Sequence, residues 1–354
     1  MVKLKDIAVR VGVSVMTVSK ALRDGHDISA KTKTRIKLVA QQLGYLPDSS
    51  AQVLRTRKTK LFGLAISTLT NPIFSRVVLA IEERAHELGY EVLLAHTLNK
   101  PEREESCIRR FISRRVDGIF LCPVYRMATE ARIYQELAAR QVPVVLLGHA
   151  APFCNQFVNV ESDDLLGSYT ATQHLTRLGH RRIAFLSGPA GMPWSQERFD
   201  GYRRALREVG TEVDDKLIFH AGRTIEDGTK AAMQMINESS DATAVQTVSD
   251  LVAVGCAEAL MSQGLRIPED ISIVGFGNLL LATYYRIPLT TVRQPKFRLG
   301  SAAMDSMVQL MRGQKVEPKR LSAELIVRSS SGIPSATHRL GQLKTTSKET
   351  TTTL

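Results

Sequence analysis

Residues with catalytic or metal-binding chemistry do not form a recognisable group in this sequence. It contains no GxSxG, HExxH or GxxxxGKS/T motif, and Gly275-Phe276-Gly277 continues without the remaining glycine of a dinucleotide loop. Four histidines have no carboxylate or cysteine at ligand spacing and are predicted to be structural or surface residues: His149, His174, His180 and His220. The sequence therefore predicts neither an enzyme, nor a metal site, nor a cofactor.

The side chains with the clearest chemical potential are cations near the start of the chain. Residues 1–60 carry 13 Lys and Arg against 4 Asp, a net charge of +9, whereas the whole 354-residue chain carries +12. A short basic module attached to a nearly neutral body is typical of proteins that bind polyanions. Binding to a membrane surface is the alternative, but the segment lacks the exposed Trp, Phe and Leu face that such binding needs.

Three short helices are predicted to position these cations within residues 1–46. Gly12 separates the first two helices, Ser14 and Ser29 can cap the second and third, and Gly44 ends the third. A helix, a short turn with glycine and a second helix describe a helix-turn-helix. A generic three-helix domain with a solvated basic face is the alternative, and composition alone does not separate the two.

Length and composition limit the rest of the chain. With 44% hydrophobic and 23% charged residues, a fully disordered or fibrous chain is excluded, and 354 residues predict two or three domains. The four cysteines form no CxxC pair, which favours reduced thiols. The start of the sequence lacks a secretory h-region and no apolar run approaches 18 residues, so we expect a cytoplasmic protein without a membrane partner.

From Leu61 onward, apolar strand-like runs alternate with amphipathic helical patterns. Eight runs are predicted as strands: Leu61–Ile66, Tyr90–His96, Gly118–Cys122, Pro143–Leu147, Arg182–Ser187, Leu217–His220, Ala244–Val248 and Ile271–Phe276. Continuous apolar strands separated by helices indicate parallel sheets with both faces covered. Eight strands over roughly 270 residues exceed one compact unit, so two lobes of about four to six strands each are predicted.

Short motifs along the chain resemble those of the lactose/galactose-repressor family. They occur in a fixed order and cover about residues 3–333: Leu4–Ala8, Gly12–Ser14, Thr17–Leu22, Leu43–Pro47, Ala51–Thr56, Asn71–Phe74, Val116–Ile119, Leu178–Leu186, Glu197–Tyr202, Ser249–Gly255 and Pro288–Gln294. The resemblance implies an α/β body of two lobes, each a parallel sheet flanked by helices as in periplasmic binding proteins. It also implies an all-α helix-turn-helix domain at the N-terminus.

In this family the second helix of the helix-turn-helix enters the major groove. The resemblance places Val15 and Met16 at positions that read base edges and Lys20 at the cationic reading position, where most relatives carry Arg. Lys lacks the bidentate fork of Arg, so its discrimination for guanine is expected to be looser. Further DNA contacts, mainly to phosphate, are expected from Lys5, Ser14, Thr17, Ser19 and Arg23.

The segment after the head resembles the family's hinge. Residues 49–56 are expected to form a short helix only when two chains meet on DNA, because an isolated helix of this length is marginal in water. Leu54 would then wedge into a base step of the minor groove, with Arg55 beside it. The alternative for Leu54 is a linker leucine with no special role.

A small effector is expected to bind between the two lobes. The candidate contacts, by match to the family's motifs, are Ile73, Phe74, His149, Trp194, Arg198, Arg223, Ser249, Asp250, Gly277 and Gln294. Arg198 matches the arginine that holds effector oxygens. Trp194 is the only tryptophan and lies on a Gly/Pro-rich stretch, which favours the pocket over an ordinary core position.

The candidate pocket departs from the family's sugar-binding pattern. Where sugar-binding relatives often place two aspartates, this chain has Gly277 and Gly148-His149, and where they often place an aromatic residue it has Arg223. Two potential anions are lost and one potential cation is gained. We therefore hypothesise an anionic effector, such as a sugar acid or sugar phosphate. The alternative is a neutral sugar, with Asp250 compensating for the missing acids.

The resemblance implies a homodimeric transcriptional regulator, with repression as the expected mode, that binds double-stranded operator DNA and a small-molecule effector. The predicted domains are a head at 1–48, a hinge at 49–60, an N-terminal lobe at 61–160 with 294–321, a C-terminal lobe at 161–293 with 322–334, and a disordered tail at 335–354. A solute-binding transport protein is the first alternative, which the basic head and missing leader disfavour. An α/β enzyme is the second, which the missing catalytic motifs disfavour.

Overall fold

A computed structural model describes residues 2–45, 58–238 and 240–335. The chain divides between Thr59 and Lys60 into two compact units, the head and the body. Leu54 and Arg55 of the predicted hinge helix, and all of the predicted tail except Ser335, lie outside the described residues. Those two predictions stay predictions.

Within residues 2–45, the head contains three helices: α1 (Leu4–Val11), α2 (Val15–Leu22) and α3 (Ala30–Gln42). Gly12 has a φ of +75°, which lets the chain turn sharply between α1 and α2. The Ser14 hydroxyl accepts a hydrogen bond from the Thr17 backbone N–H at 3.0 Å and so caps α2. Apolar side chains from all three helices, including Ile7, Val18 and Ile36, are fully buried. The predicted helix-turn-helix is confirmed.

Among the described residues of the body, twelve strands form two six-stranded sheets. Their bounds are β1 Leu61–Ile66, β2 Glu91–His96, β3 Gly118–Leu121, β4 Val144–Leu147, β5 Val158–Ser162, β6 Ile183–Ser187, β7 Ile218–His220, β8 Ala244–Thr247, β9 Ser272–Gly277, β10 Thr290–Arg293, β11 Lys319–Leu321 and β12 Glu324–Ile326. The orders are β11-β5-β4-β3-β1-β2 and β12-β10-β9-β8-β6-β7. All pairings are parallel except β10 with β12.

In the part of the body that the structure describes, nine α-helices flank these sheets. They are α4 Pro72–Glu87, α5 Pro101–Ser113, α6 Arg132–Ala139, α7 Asp164–Arg177, α8 Pro193–Glu208, α9 Ile225–Asn237, α10 Asp250–Ser262, α11 Leu280–Tyr284 and α12 Lys296–Met311. Buried aliphatic and aromatic side chains fill the space between helices and sheets in each lobe. The predicted α/β fold of two lobes is confirmed.

Over residues 60–238 and 240–335, the chain passes between the sheets three times. It leaves the first sheet after β5, returns after β10, and leaves again between β11 and β12. We call the lobe that contains β1–β5 and β11 the N-terminal lobe and the other the C-terminal lobe. The crossings lie beside the carboxyl ends of parallel strands, where open α/β sheets form ligand crevices.

Close backbone contact joins two helices of the C-terminal lobe. A Cβ added to Gly255 of α10 would lie 1.9 Å from the carbonyl oxygen of Ile225 in α9, and one added to Gly228 would lie 2.3 Å from that of Val252. These distances are far below van der Waals contact, so only glycine allows the two helices to approach this closely. This contact fixes α10, whose first turn carries two candidate site residues.

Candidate functional site

The surface of α2 carries the side chains predicted to read DNA. Val15 and Met16 are exposed at 44% and 63%, high values for large apolar residues. The Ser14 and Thr17 hydroxyls lie 2.9 Å apart at the start of the helix. Lys5, on α1, is exposed. An exposed apolar pair flanked by hydroxyls suits thymine methyl groups and neighbouring phosphates.

Two candidate cations at the end of α2 have fixed partners. The Arg23 guanidinium donates to the Ser19 backbone carbonyl at 2.8 Å and to its hydroxyl at 3.0 Å, so these two predicted residues form one polar group. The Lys20 ammonium pairs with the carboxylate of Asp27, in the loop before α3. Sequence analysis missed Asp27, although an acid in so basic a segment was a usable signal.

The centre of the body's candidate site is a buried ion pair. The Arg198 guanidinium, on α8, donates to one Asp164 carboxylate oxygen at 2.8 and 3.2 Å and to the Val248 carbonyl at 2.6 Å. It lies 3.8 Å from the centroid of the Phe276 ring and 4.9 Å from that of Trp194. Both charges of the pair are almost entirely buried. Asp164, at the start of α7, was missed by the sequence analysis.

Gln294 extends this group at the second crossing. Its side-chain amide donates to the other oxygen of Asp164 at 3.1 Å. An ionised carboxylate only accepts hydrogen bonds, so this contact fixes which end of the amide is the nitrogen. The Gln294 carbonyl oxygen is buried and has no hydrogen-bond partner among the described residues. A buried acceptor without a partner costs free energy, which makes it a place where a ligand donor is expected to bind.

The start of α10 contributes Ser249 and Asp250. Ser249 caps the helix by accepting from the Val252 N–H at 3.3 Å. The fully buried Asp250 carboxylate accepts hydrogen bonds from the Thr291 hydroxyl and, at 2.7 Å, from the Leu279 N–H. Burial raises the pKa of Asp250 despite these bonds. Both carboxylate oxygens therefore have structural partners.

Gly277 lies beside Asp250 at the end of β9. A Cβ added there would be 3.4 Å from the second oxygen of Asp250 and 3.7 Å from Leu279. The φ of Gly277 is +132°, which side chains rarely adopt. An aspartate at 277 would thus bring a second acid toward Asp250. Glycine leaves this part of the cleft without that acid.

Among the effector-site candidates, Arg223 is the cation that has no carboxylate partner in the described residues. Its backbone N–H binds Asp227 at 2.9 Å, while its guanidinium lies 5.4 Å from the centroid of the Trp194 ring. Burial lowers the pKa of Arg223, because a site with little water disfavours a cation that has no compensating anion. Cys122 of the N-terminal lobe interacts electrostatically with it, but burial raises the pKa of that thiol to about 12. A neutral thiol cannot balance a guanidinium.

An interlobe cluster connects the two lobes beside the buried pair; its members are His149, Glu161, Glu197 and Arg320. The His149 Nε2 atom lies 3.0 Å from a Glu197 carboxylate oxygen and 3.9 Å from one of Glu161. Arg320, on β11, pairs with Glu197 and lies 3.4 Å from Glu161. His149 and Arg320 belong to the N-terminal lobe and Glu197 to the C-terminal lobe, so these contacts hold the lobes together. Sequence analysis predicted only His149 of this cluster.

Protonation of His149 should stabilise the body. Burial disfavours the charged imidazole, but Glu197, Asp164 and Glu161 together outweigh burial and raise the pKa of His149. A raised pKa adds stability that is complete below the ordinary value of about 6.5 and is lost as pH rises through the raised value. The melting-temperature advantage of the natural chain over His149→Gln should therefore be larger near pH 6 than near pH 9. An advantage that does not change with pH in thermal melts would contradict this role.

Ile73 and Phe74 lie at the start of α4, where Asn71 caps the helix by accepting from the Ile73 N–H at 3.2 Å. Both side chains are half-buried. The structure joins Trp194 to Arg198 and Arg223, and Arg198 to Gln294 through Asp164. It shows no comparable contact between Ile73 or Phe74 and the other candidates within the described residues, and their role stays a prediction.

Within the part of the chain that the structure describes, no helix is long and apolar enough to cross a bilayer. In the same residues, no group of three or more His, Cys, Asp and Glu is arranged to hold a metal ion.

The chain is similar to known repressors over most of its length. The HTH-type transcriptional repressor CytR of Escherichia coli (strain K12) is 32% identical over 329 residues, which cover 92% of this chain and 95% of CytR. The HTH-type transcriptional repressor PurR of Vibrio atlanticus (strain LGP32) is 32% identical over 332 residues, which cover 93% of this chain and 98% of PurR. These relatives are transcriptional regulators rather than enzymes.

The fold comparison agrees with the sequence comparison. A crystal structure of the lac repressor dimer, bound to operator and the anti-inducer ONPF, has a TM-score of 0.84 to this chain at 28% identity and covers 94% of this chain and 99% of that one. Residues 3–48 match the bacterial regulatory proteins of the lacI family, and residues 59–327 match the periplasmic binding proteins and sugar binding domain of the LacI family. A regulatory head joined to binding lobes disfavours the transport alternative. The chain belongs to the LacI family of bacterial regulatory proteins.

Proposed function

We propose that this chain is a dimeric transcriptional repressor of the cytoplasm, without catalytic activity, whose operator affinity is controlled by a small anionic effector. Two heads read the half-sites of a pseudo-palindromic operator, with α2 in the major groove. The effector binds between the lobes at the residues predicted above. The lac repressor relative was crystallised on operator DNA as a dimer, which supports both the partner and the assembly.

Arg223 is the observation that carries the anionic effector. Arg198, His149 and Arg320 each have a carboxylate within 4 Å, whereas Arg223 has none among the described residues. Its guanidinium is half-buried beside Trp194. Keeping an unpaired cation out of water is costly unless an anion completes the site. A carboxylate or phosphate supplied by a ligand provides that anion and makes charge-assisted hydrogen bonds.

The remaining contacts favour a ligand that also carries hydroxyl groups. The unpartnered Gln294 carbonyl accepts a hydrogen bond from such a group. Asp250, which a neutral sugar would need in place of the missing acids, is fully buried and already binds Thr291 and Leu279. A sugar acid or sugar phosphate satisfies both the guanidinium and the amide.

Control of DNA binding follows from a coupling free energy between the cleft and the head. A ligand that favours one arrangement of the lobes changes operator affinity only by its difference in affinity for the two arrangements. The same factor then applies to the effect of operator on ligand affinity. Binding measured with and without operator DNA therefore gives the direction of control.

Thermal-shift screening followed by calorimetry tests the effector class. Matched pairs are glucose with gluconate, glucose with glucose 6-phosphate, galactose with galacturonate, and ribose with ribose 5-phosphate. We expect only acidic members to raise the melting temperature of the full chain, since a ligand that binds the native state stabilises it by mass action. Selective binding of a neutral member would overturn the proposal.

Arg223→Met should weaken binding of the best acidic ligand about 10- to 100-fold, the cost of losing hydrogen bonds to a charged group. Calorimetry on the full chain measures the change. Arg207→Met, which removes an exposed arginine of the same lobe, is the matched control and should leave affinity unchanged. Equal affinity in the natural chain and Arg223→Met would exclude the guanidinium as the anion's partner.

A further inference from the structure

The head contains three described acids in a strongly basic unit, and each lies against a positive group or an N–H group. Asp6 accepts a hydrogen bond from the Lys3 backbone N–H at 2.8 Å, at the start of α1. Asp24 accepts from the Lys37 ammonium on α3 at 2.6 Å. Neither contact involves Val15, Met16 or Lys20, the residues predicted to read bases. The third acid, Asp27, does contact one of these residues.

Asp27 lies against the one cation that is predicted to read a base. Its carboxylate pairs with the Lys20 ammonium, which holds the pKa of Asp27 below its usual range. Both side chains are about half exposed, so such a pair contributes little to folding stability. The Asp27–Lys20 pair therefore adds little stability, yet it places an acid on the surface predicted to bind DNA. We infer that its role is in DNA binding.

The loop between α2 and α3 is built to hold this acid in place. The backbone N–H groups of Arg23 and Gly25 both donate to the Lys20 carbonyl, at 3.2 and 2.9 Å, so the loop folds back on the end of α2. A Cβ added to Gly25 would lie 3.1 Å from Asp27 Oδ1 and 3.1 Å from the Lys20 carbonyl oxygen. Glycine therefore permits the close approach that keeps Asp27 beside Lys20.

The pairing with Asp27 restricts the conformations that the Lys20 side chain can adopt. A lysine ammonium is a compact charge on a flexible stem, and it binds any phosphate oxygen within reach. A fixed carboxylate restricts that stem and cancels the charge seen by the phosphates. The Lys20 ammonium then binds most favourably to acceptors that lie within reach of the position in which Asp27 holds it, such as the O6 and N7 atoms of guanine.

We propose that Asp27 is a specificity-determining residue, which positions the Lys20 ammonium for a base edge and opposes its binding to phosphate. The inference rests on the proposed role of α2 in the major groove. In chemical terms, the Asp27 carboxylate gives Lys20 a defined direction that the guanidinium fork of Arg would otherwise supply.

The test compares Asp27→Asn with Asp24→Asn in the full chain. Both variants remove one negative charge from the same loop, and Asn accepts the positive φ of Asp24. The probes are a duplex selected by the natural chain from a randomised library and a scrambled duplex of equal length. Dissociation constants for both are measured over a series of salt concentrations, with melting curves as a check on folding.

Asp27→Asn should bind the scrambled duplex more tightly, and the salt dependence of its binding should be steeper by about one phosphate contact. We define the specificity ratio as the dissociation constant for the scrambled duplex divided by that for the selected duplex. This ratio should be about 10-fold lower in Asp27→Asn than in Asp24→Asn. Repeated selection with Asp27→Asn should lose base preference at one position of each half-site. Equal ratios in the two variants would overturn the proposal.

Lys20→Met separates this proposal from the proposed function. In the Lys20→Met chain, Asp27→Asn should change the specificity ratio no more than Asp24→Asn does. A larger fall of the specificity ratio with Asp27→Asn would show that Asp27 does not act through Lys20, and it would overturn the inference. A natural chain that selects no duplex from the library would instead overturn operator recognition itself. The two failures are thus distinguishable.

Discussion

Arg198→Met should lower the free energy of unfolding of the body by about 3–5 kcal/mol, the cost of leaving one buried charge without its partner. Asp164 would keep its carboxylate in a site with almost no water, and the Val248 carbonyl would lose its donor. Urea unfolding of the full chain measures the loss. Trp194, the only tryptophan, lies over the guanidinium and reports the transition by fluorescence.

A double variant separates the charge from the packing. Arg198→Met with Asp164→Leu removes both charges and should recover much of the stability lost by Arg198→Met alone, because apolar replacements of buried pairs are often neutral. Neither variant should respond to the best acidic ligand. A loss below about 1 kcal/mol in the single variant would mean that water or another cation reaches Asp164.

Gly255→Ala is expected to have the second large effect, a loss of about 3 kcal/mol or more from overpacking. The new methyl group would lie 1.9 Å from the Ile225 carbonyl oxygen, which belongs to backbone and cannot rotate away. The helices α9 and α10 must then separate, and Ser249 and Asp250 at the start of α10 move with them. Chemical denaturation measures the loss.

Ser262→Ala, near the other end of α10, is the matched control. Alanine removes a hydroxyl that donates to the Ala259 carbonyl and introduces no group larger than the natural one. It should change stability by less than about 0.5 kcal/mol. A Gly255→Ala protein as stable as this control would show that the close helix contact is not required.

Hydropathy predicted β1–β4 and β6–β9, and it missed β5, β10, β11 and β12. Two of the missed strands, β5 and β11, carry residues of the interlobe cluster. β1 reads as a continuous apolar run, because helices cover both faces of the sheet. β5 was not predicted, since Asn159, Glu161 and Ser162 interrupt its pattern; Asn159 binds the Gly148 carbonyl at 3.1 Å and Glu161 belongs to the interlobe cluster. Functional polar residues thus removed the signal that predicts a strand.

Two partners in the proposed sites, Asp164 and Asp27, also escaped prediction. Asp164 meets Arg198 across 34 residues of sequence, and that distance closes only when α7 and α8 pack together. Arg198 was predicted because it matches an arginine of the family's motifs, whereas its partner Asp164 can be identified only from the folded structure. Asp27 is nearer to Lys20, but the folded-back loop that joins them depends on Gly25 and has no hydropathy pattern.

The order of strands in the sheets also dictates how the protein is completed during synthesis. β5 pairs with β11, which begins about 160 residues later in the chain. β10 likewise pairs with β12, which is synthesised after it. At about 5–20 residues per second, the ribosome needs roughly 10–30 s to supply the strand that covers the edge of β5. Until then the nascent body exposes an unpaired parallel edge, which is open to pairing with other chains. The head is a separate compact unit that ends at Thr59, so all of its residues are synthesised while both lobes are still unfinished.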